Sequence, residues 1–245
     1  MAAIEGSSGT VDRLVRAPAA SAADDSGLPS FFPELRANGS RRGASGAGGP
    51  ALMNALPRTF ARHACAAAAA LLRAGGVLAY PTEAVYGLGC DPHDRAAFER
   101  LFALKRRPPT QGVLLIAADF AQVERYIDLA AVPAPVLAQV RASWPGPHTW
   151  IFPRTAEVPA WVAGDHAGIA LRVTAHAPAA ELCRAFGGAL VSTSANPHGQ
   201  PPARSAATVA DYFGDALDGV LDAPLGAQAS PTTIRDALTG AIIRA

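Results

Sequence analysis

"ACAAAAALLRAGGVLAYPTEAVYGLGCDP", residues 64–92, holds in one stretch the switch on which the fold turns. Read with the residues before it from Arg58, the alanine and leucine run predicts a helix, because these side chains lose little freedom there. Gly75-Gly76 ends that helix. "VLAYP" follows as a short, wholly apolar run, the pattern of a buried strand, and Pro81 stops it. A helix followed directly by a buried strand is the repeating unit of α/β proteins.

The same alternation continues outward. "DRAAFERLFALK" (94–105) predicts a helix with Ala97, Leu101 and Leu104 on one face, which Pro108-Pro109 cannot continue. "GVLLIAA" (112–118) reads as a second buried strand, and "DFAQVERYI" (119–127) as a helix capped by Asp119. A short helix over 135–142 leads to "WPGPHTWIF" (144–152), a turn entering a strand. "GIALRV" (168–173) predicts a strand, "APAAELCRAFG" (177–187) a helix, and "ALVSTSAN" (189–196) a strand running into a polar loop. "SAATVADYFG" (205–214) predicts a helix capped by Ser205, and "GVLDA", "TTIRD" and "AIIRA" predict closing strands. The expected fold is one α/β domain over residues 57–245, a twisted, open, mixed sheet flanked by helices.

Residues 1–56 read differently. "AADDSGLPS" and "ANGSRRGASGAGGP" are small, polar and glycine-rich without a period of 2 or 3.6. Such a segment buries too little apolar surface to offset its ordering entropy, so a disordered extension is expected. Met53 stands at the change of composition: either the extension is a true tail, or translation starts at Met53.

Half of the 245 residues are hydrophobic and the net charge is +1. That balance argues against a general polyanion binder, though not against a local basic groove. Cys65, Cys90 and Cys183 lack metal-ligand or disulfide spacing and fit a reducing cytosol. No apolar run reaches the roughly 18 residues of a membrane span, and the N-terminus lacks a secretory pattern. A soluble, cytoplasmic protein is expected.

Open α/β sheets bind ligands where strands end, and three polar stretches fall there. In "YPTEAVYGLGCDP" (80–92), Thr82 offers a hydroxyl, and Gly87 and Gly89 would let backbone approach a ligand. The bland alternative is a tight connection with Glu83 in solvent. In "FALKRRPPTQG" (102–112), Lys105 is the only lysine beside 20 arginines. Lys105 and Arg107, held by prolines, suit a triphosphate, the ammonium as a point charge and the guanidinium as a fork. The run also reads simply as basic charge at a helix C-terminus. In "LVSTSANPHGQPP" (190–202), Ser192, Thr193, Ser194 and Asn196 supply donors to phosphate oxygens or a base edge, unless they only build a turn. Arg172 ends an apolar strand and must meet a carboxylate, either an internal one or that of an amino-acid substrate. The histidines show no ligand spacing. There is no Walker A pattern and no G-x-S-x-G elbow, which excludes the P-loop ATPases and α/β-hydrolases.

These stretches, in this order and together with "WPGPHT", "ALRVT" and "PTTIRDALTGAIIR", resemble the YrdC/Sua5 family of threonylcarbamoyl-AMP synthases. The likeness runs from about residue 58 to the end, where the short form of the family also ends. It implies a YrdC-like fold. It implies a nucleotidyltransferase that joins L-threonine, bicarbonate and ATP into L-threonylcarbamoyl-AMP and pyrophosphate. Lys105 and Arg107 of the K-x-R, with Ser192, Ser194 and Asn196, would hold the ATP phosphates, Lys105 and Arg107 acting in catalysis. Thr82 and Arg172 would hold threonine. Mg²⁺ would enter on the phosphates, with no metal held by the protein alone. The product would pass to the proteins that place threonylcarbamoyl on adenosine 37 of ANN-decoding tRNAs. Many relatives carry a further lysine where this chain has Gln111, which keeps a donor but not the charge. Two other readings stand beside this one. A non-catalytic module of the same fold would bind double-stranded RNA or tRNA. The related domain of hydrogenase maturation makes a carbamoyl-adenylate, but normally among zinc-finger and acylphosphatase segments that this chain lacks.

Overall fold

The computed structural model describes residues 57–106, 112–229 and 232–244. The expected extension over 1–56, with its alternative start at Met53, lies outside the described residues, as do Arg107 and Gln111.

The alanine-rich run forms helix α1 (Cys65–Arg73) and is ended by Gly75 at φ +83°. It does not begin at Arg58 as expected. Arg58–Ala61 is strand β1, which runs parallel to β8 (Gly219–Asp222) from Arg58↔Gly219 to Ala61↔Asp222. Helix propensity is worth only tenths of a kcal/mol per residue. Pairing with β8 and burial of Phe60 outweigh it here.

"VLAYP" becomes β2 (Leu78–Pro81), buried at every position. "YGLG", expected as a loop, is a strand as well: β3 (Tyr86–Gly89) pairs antiparallel with β2, Leu78↔Gly89 through Pro81↔Tyr86. Glycine is a poor strand residue, but here its missing side chain makes room. A Cβ on Gly89 would lie 2.4 Å from the Val191 carbonyl and 2.6 Å from Cε1 of Tyr80. The Tyr80 ring fills that space, and its hydroxyl donates to Val191 O at 3.0 Å. Burial raises the Tyr80 phenol well above its ordinary range. Gly89→Ala is therefore expected to cost about 1–3 kcal/mol by overpacking, read as a fall in the midpoint of chemical unfolding.

Apart from a short helix over Ala160–Ala163, which was not expected, the remaining elements follow the expected alternation. With that helix included, they are α2 (Arg95–Lys105), β4 (Leu114–Ala117), α3 (Ala121–Glu124), α4 (Ala134–Ser143), β5 (His148–Pro153), α5 (Ala160–Ala163) and β6 (Gly168–Val173). After them come α6 (Ala177–Phe186), β7 (Leu190–Ser194), α7 (Ala206–Phe213), β9 (Thr233–Asp236) and β10 (Ile242–Arg244). Asp94 caps α2 by accepting from Ala97 N at 3.0 Å, and Ser205 caps α7 by accepting from Thr208 N at 3.1 Å. Asp119 accepts from Gln122 N at 3.1 Å, as expected of a cap, although α3 itself is a single turn.

The strands form one mixed sheet in the order β1-β8-β2-β3-β7-β4-β6-β5-β9-β10. Helices α1 and α6 pack on one face, against Leu78, Tyr80, Ile116, Leu190 and Leu221. The other face carries Leu115, Trp150, Leu171 and Val191 into a larger core with Phe98 and Leu101 of α2 and Val140 of α4. Among the described residues, no helix is long and apolar enough to cross a membrane.

Candidate functional site

Strand register puts Ser192, Leu114, Ala170 and Ile151 side by side across β7, β4, β6 and β5. This row lies on the same face as α1 and α6, because Leu190, Ile116 and Arg172 form the adjacent row two residues along. Leu114, Ala170 and Ile151 are half-buried, whereas Leu115, Leu171 and Trp150 beneath them are closed off. Neither core cluster takes in those three apolar residues. Interior strands whose apolar face is left half open offer a candidate floor for a ligand. Two polar groups border this floor.

The first joins two of the sequence stretches. Lys105, 5% exposed, donates from Nζ to the carbonyls of Ser194, at 2.5 Å, and Asn196, at 3.1 Å. In return its own carbonyl accepts from His198 N at 2.9 Å. The Ser194 hydroxyl donates to Asn196 Oδ1 at 2.6 Å, and Asn196 Nδ2 donates to Pro197 O and Gln200 O at 3.2 and 2.7 Å. The end of α2 and the "STSAN" loop are thus one hydrogen-bonded body. The side chain of Asn196 holds the loop in shape, while Ser192 and Ser194 stand on the face of the row. Arg106, between the two motif cations, turns the chain at φ +51° and points to solvent, whereas Lys105 points in.

The second group surrounds Arg172, 5% exposed. Its Nη2 lies 3.2 Å from Glu83 Oε2, and Nη1 donates to Thr232 Oγ1 at 3.1 Å. Thr232 shares a hydrogen bond with Thr149, also at 3.1 Å. Glu83 Oε1 accepts from Thr174 Oγ1 at 2.6 Å, and Thr174 Oγ1 accepts from His176 N at 3.0 Å. Arg172 Nε and Glu83 Oε2 have no hydrogen-bond partner among the described residues. Burial lowers the His176 imidazole below its ordinary range, against the opposing pull of Glu83.

The sequence reading is corrected at Glu83. Set in solvent by the bland alternative, it is 6% exposed and is the internal carboxylate that Arg172 required. Thr82, beside it, donates from Oγ1 to Val85 O at 2.7 Å, so its hydroxyl keeps only its accepting side for a ligand. Gly87 lies between Ser192 and Thr82: a Cβ there would be 3.3 Å from Ser192 Oγ and 3.5 Å from Thr82 Cγ2. The structure therefore brings Lys105, Ser192, Ser194 and Asn196 together, sets Thr82 across Gly87 from Ser192, and holds Arg172 on β6, beyond β4 from β7. Thr149, Thr174, Thr232 and His176 were not singled out from sequence, since lone threonines and a histidine before a helix carry no signal of their own. Among the described residues, no group of three or more His, Cys, Asp or Glu could hold a metal ion.

Comparison with known proteins shows the family. A family profile for Sua5/YciO/YrdC, described as telomere recombination, matches residues 70–245. A protein of Xanthomonas campestris pv. campestris named threonylcarbamoyl-AMP synthase is 53% identical over 178 residues, 73% of this chain and 95% of that one. One of the same name from Halorhodospira halophila is 55% identical over 177 residues, 72% and 92% of the two chains. Among solved structures, P. abyssi Sua5 complexed with L-threonine superposes with a TM-score of 0.68 at 29% identity. That match covers 74% of this chain and 54% of the P. abyssi protein. Profile, relatives and sheet agree with the order of the motifs: the chain belongs to the Sua5/YciO/YrdC family.

Proposed function

We propose that this protein is an L-threonylcarbamoyladenylate synthase, a nucleotidyltransferase that makes threonylcarbamoyl-AMP and pyrophosphate from L-threonine, bicarbonate and ATP. The observation that carries the reading is the union of Lys105 with the Ser194–Asn196 loop, next to Ser192 and Ser194, which stand on the same sheet face as Arg172 and its partners. The naming of relatives at 53–55% identity supports it.

The two sides suit the two halves of the chemistry. Lys105 and Arg107, with Ser192, Ser194 and Asn196, hold the triphosphate. The Asn196 amide acts by shaping the loop. Thr82 and Arg172 hold threonine, with the Arg172 guanidinium directed to its carboxylate. The threonine ammonium gives up a proton to solvent, its nitrogen bonds to the carbon of bicarbonate, and water leaves as the carbamate forms. A carbamate oxygen then attacks the α-phosphorus, and the bond to the β-phosphate oxygen breaks to release pyrophosphate. Every reactant here is an anion or bears a carboxylate, so fixing them close together and offsetting their charge is the protein's main task. Mg²⁺ would enter with ATP and supply charge neutralisation on the phosphates. The product serves the proteins that modify adenosine 37 of ANN-decoding tRNAs, which places the enzyme in the cytoplasm.

The test is pyrophosphate release from ATP with each amino acid, with and without bicarbonate. Release that requires both threonine and bicarbonate is the expected result. No turnover, together with tight RNA binding on a steep salt slope, would overturn it in favour of a binding module.

A further inference from the structure

We infer that Glu83 is a positioning residue that reserves the Arg172 end of the cleft for the amino acid and keeps the triphosphate away from it. The inference rests on the proposed reaction and deepens it.

Segments far apart along the chain converge on this residue, two on its side chain and one on its backbone. Glu83 follows β2. Its Oε2 faces Arg172 of β6, and its Oε1 takes the hydroxyl proton of Thr174, which in turn accepts from the backbone N–H of His176 just before α6. The segment on its backbone is the stretch after β8. Gly226 N donates to Thr82 O at 2.9 Å and Gln228 N donates to Glu83 O at 3.1 Å. The fit is close, since a Cβ on Gly226 would lie 2.7 Å from both Cα and O of Glu83. That stretch leads on to Thr232, which binds the same guanidinium from its other side. Arg172 is therefore clamped between Glu83 and Thr232, and Glu83 is itself clamped by Thr174.

The charge arithmetic gives the clamp a purpose. An unpaired guanidinium in this cleft would be one more site for phosphate oxygens, which bind forked cations strongly. Paired with Glu83, Arg172 belongs to a unit of zero net charge with its orientation fixed. Such a unit attracts a polyanion weakly. It can still present an N–H to the carboxylate of a zwitterion, whose own net charge is also zero. The proposed phosphate donors, Lys105 with the Ser194–Asn196 loop, form a separate hydrogen-bonded group, so the polyanion and the zwitterion are sorted between two groups.

Calorimetric titration of threonine and of ATP into the full-length protein and its variants tests this, with the thermal midpoint recorded for each. In Glu83→Gln, threonine affinity is expected to fall about 10-fold or more, the scale of one contact to a charged group. ATP affinity should stay the same or tighten. Thr174→Val, which leaves the ion pair in place but frees Glu83 from its donor, should shift threonine affinity in the same direction by less, and it decides the matter if Glu83→Gln does not fold. Equal losses for both ligands would mean a merely structural role and overturn the inference, as would unchanged threonine binding in both variants. If the unaltered protein binds ATP but no amino acid, the proposed reaction itself fails, and this inference with it.

Discussion

Replacing Lys105 by arginine is expected to lower turnover by about 10²–10³-fold, the cost of losing one preorganised donor at a developing charge. The conservative look of the change is misleading. The Lys105 ammonium sits in a space only 5% exposed and reaches two carbonyls of the loop that carries Ser194 and Asn196. A compact ammonium can serve two carbonyl oxygens converging from different directions. A planar guanidinium is wider and presents its donors in one plane, so it must either push the loop away or leave a carbonyl unpaired. Overpacking of that kind costs about 1–3 kcal/mol of stability. The kinetic effect should exceed the thermal one, because the displaced loop also carries the hydroxyls proposed to face the phosphates. Single-turnover assays at saturating ATP, run beside thermal unfolding, separate the two. Near-normal turnover in Lys105→Arg would remove Lys105 from the phosphate site and leave its singleness as a matter of composition.

How much of this was legible in sequence depends on the range of the contact concerned. "GIALRV" matches β6 residue for residue, and "APAAELCRAFG" matches α6 except that Gly187 is its cap, because their apolar content and their limits, set by local chemistry, agree. β1 and β3 were misread for one reason. "RTFA" and "YGLG" have weak or contrary local preferences, and each becomes a strand only because a partner strand lies beside it. The site follows the same rule. The need of Arg172 for an anion was legible, since an arginine in an apolar strand demands one. The identity of that anion was not, because the residues that meet at Glu83 are far apart along the chain, 91 positions in the case of Thr174. The donors of "STSAN" were visible as a density of hydroxyl and amide groups. That Lys105 grips the loop through backbone carbonyls was invisible, since every residue has a carbonyl and only the fold selects two of them. Family likeness supplied the pairing of the two motifs before the geometry did.

The largest expected effect on stability comes from Arg172→Met. The substitution nearly preserves the length of the stem and removes the cation, so the Glu83 carboxylate, 6% exposed, loses its counter-charge. Breaking a buried ion pair from one side typically costs about 3–5 kcal/mol, because the remaining charge is held out of water without compensation. Thr232 also loses a donor, which removes a second strand-to-loop tie. The double variant Arg172→Met with Glu83→Gln should recover much of that loss, because no unpaired charge then remains, and Gln can still accept the Thr174 hydroxyl that now goes to Oε1. Recovery in the double variant measures the coupling of the pair directly. Activity should follow a different pattern. Neither variant retains a cation at the proposed threonine site, so both should lose threonine-dependent pyrophosphate release however well the double variant folds. Denaturant unfolding of the two single variants and the double variant, with activity measured on the same samples, tests both halves of the argument. Additive stability losses would show that Glu83 and Arg172 do not act as a pair. Full activity in the folded double variant would show that threonine does not depend on Arg172.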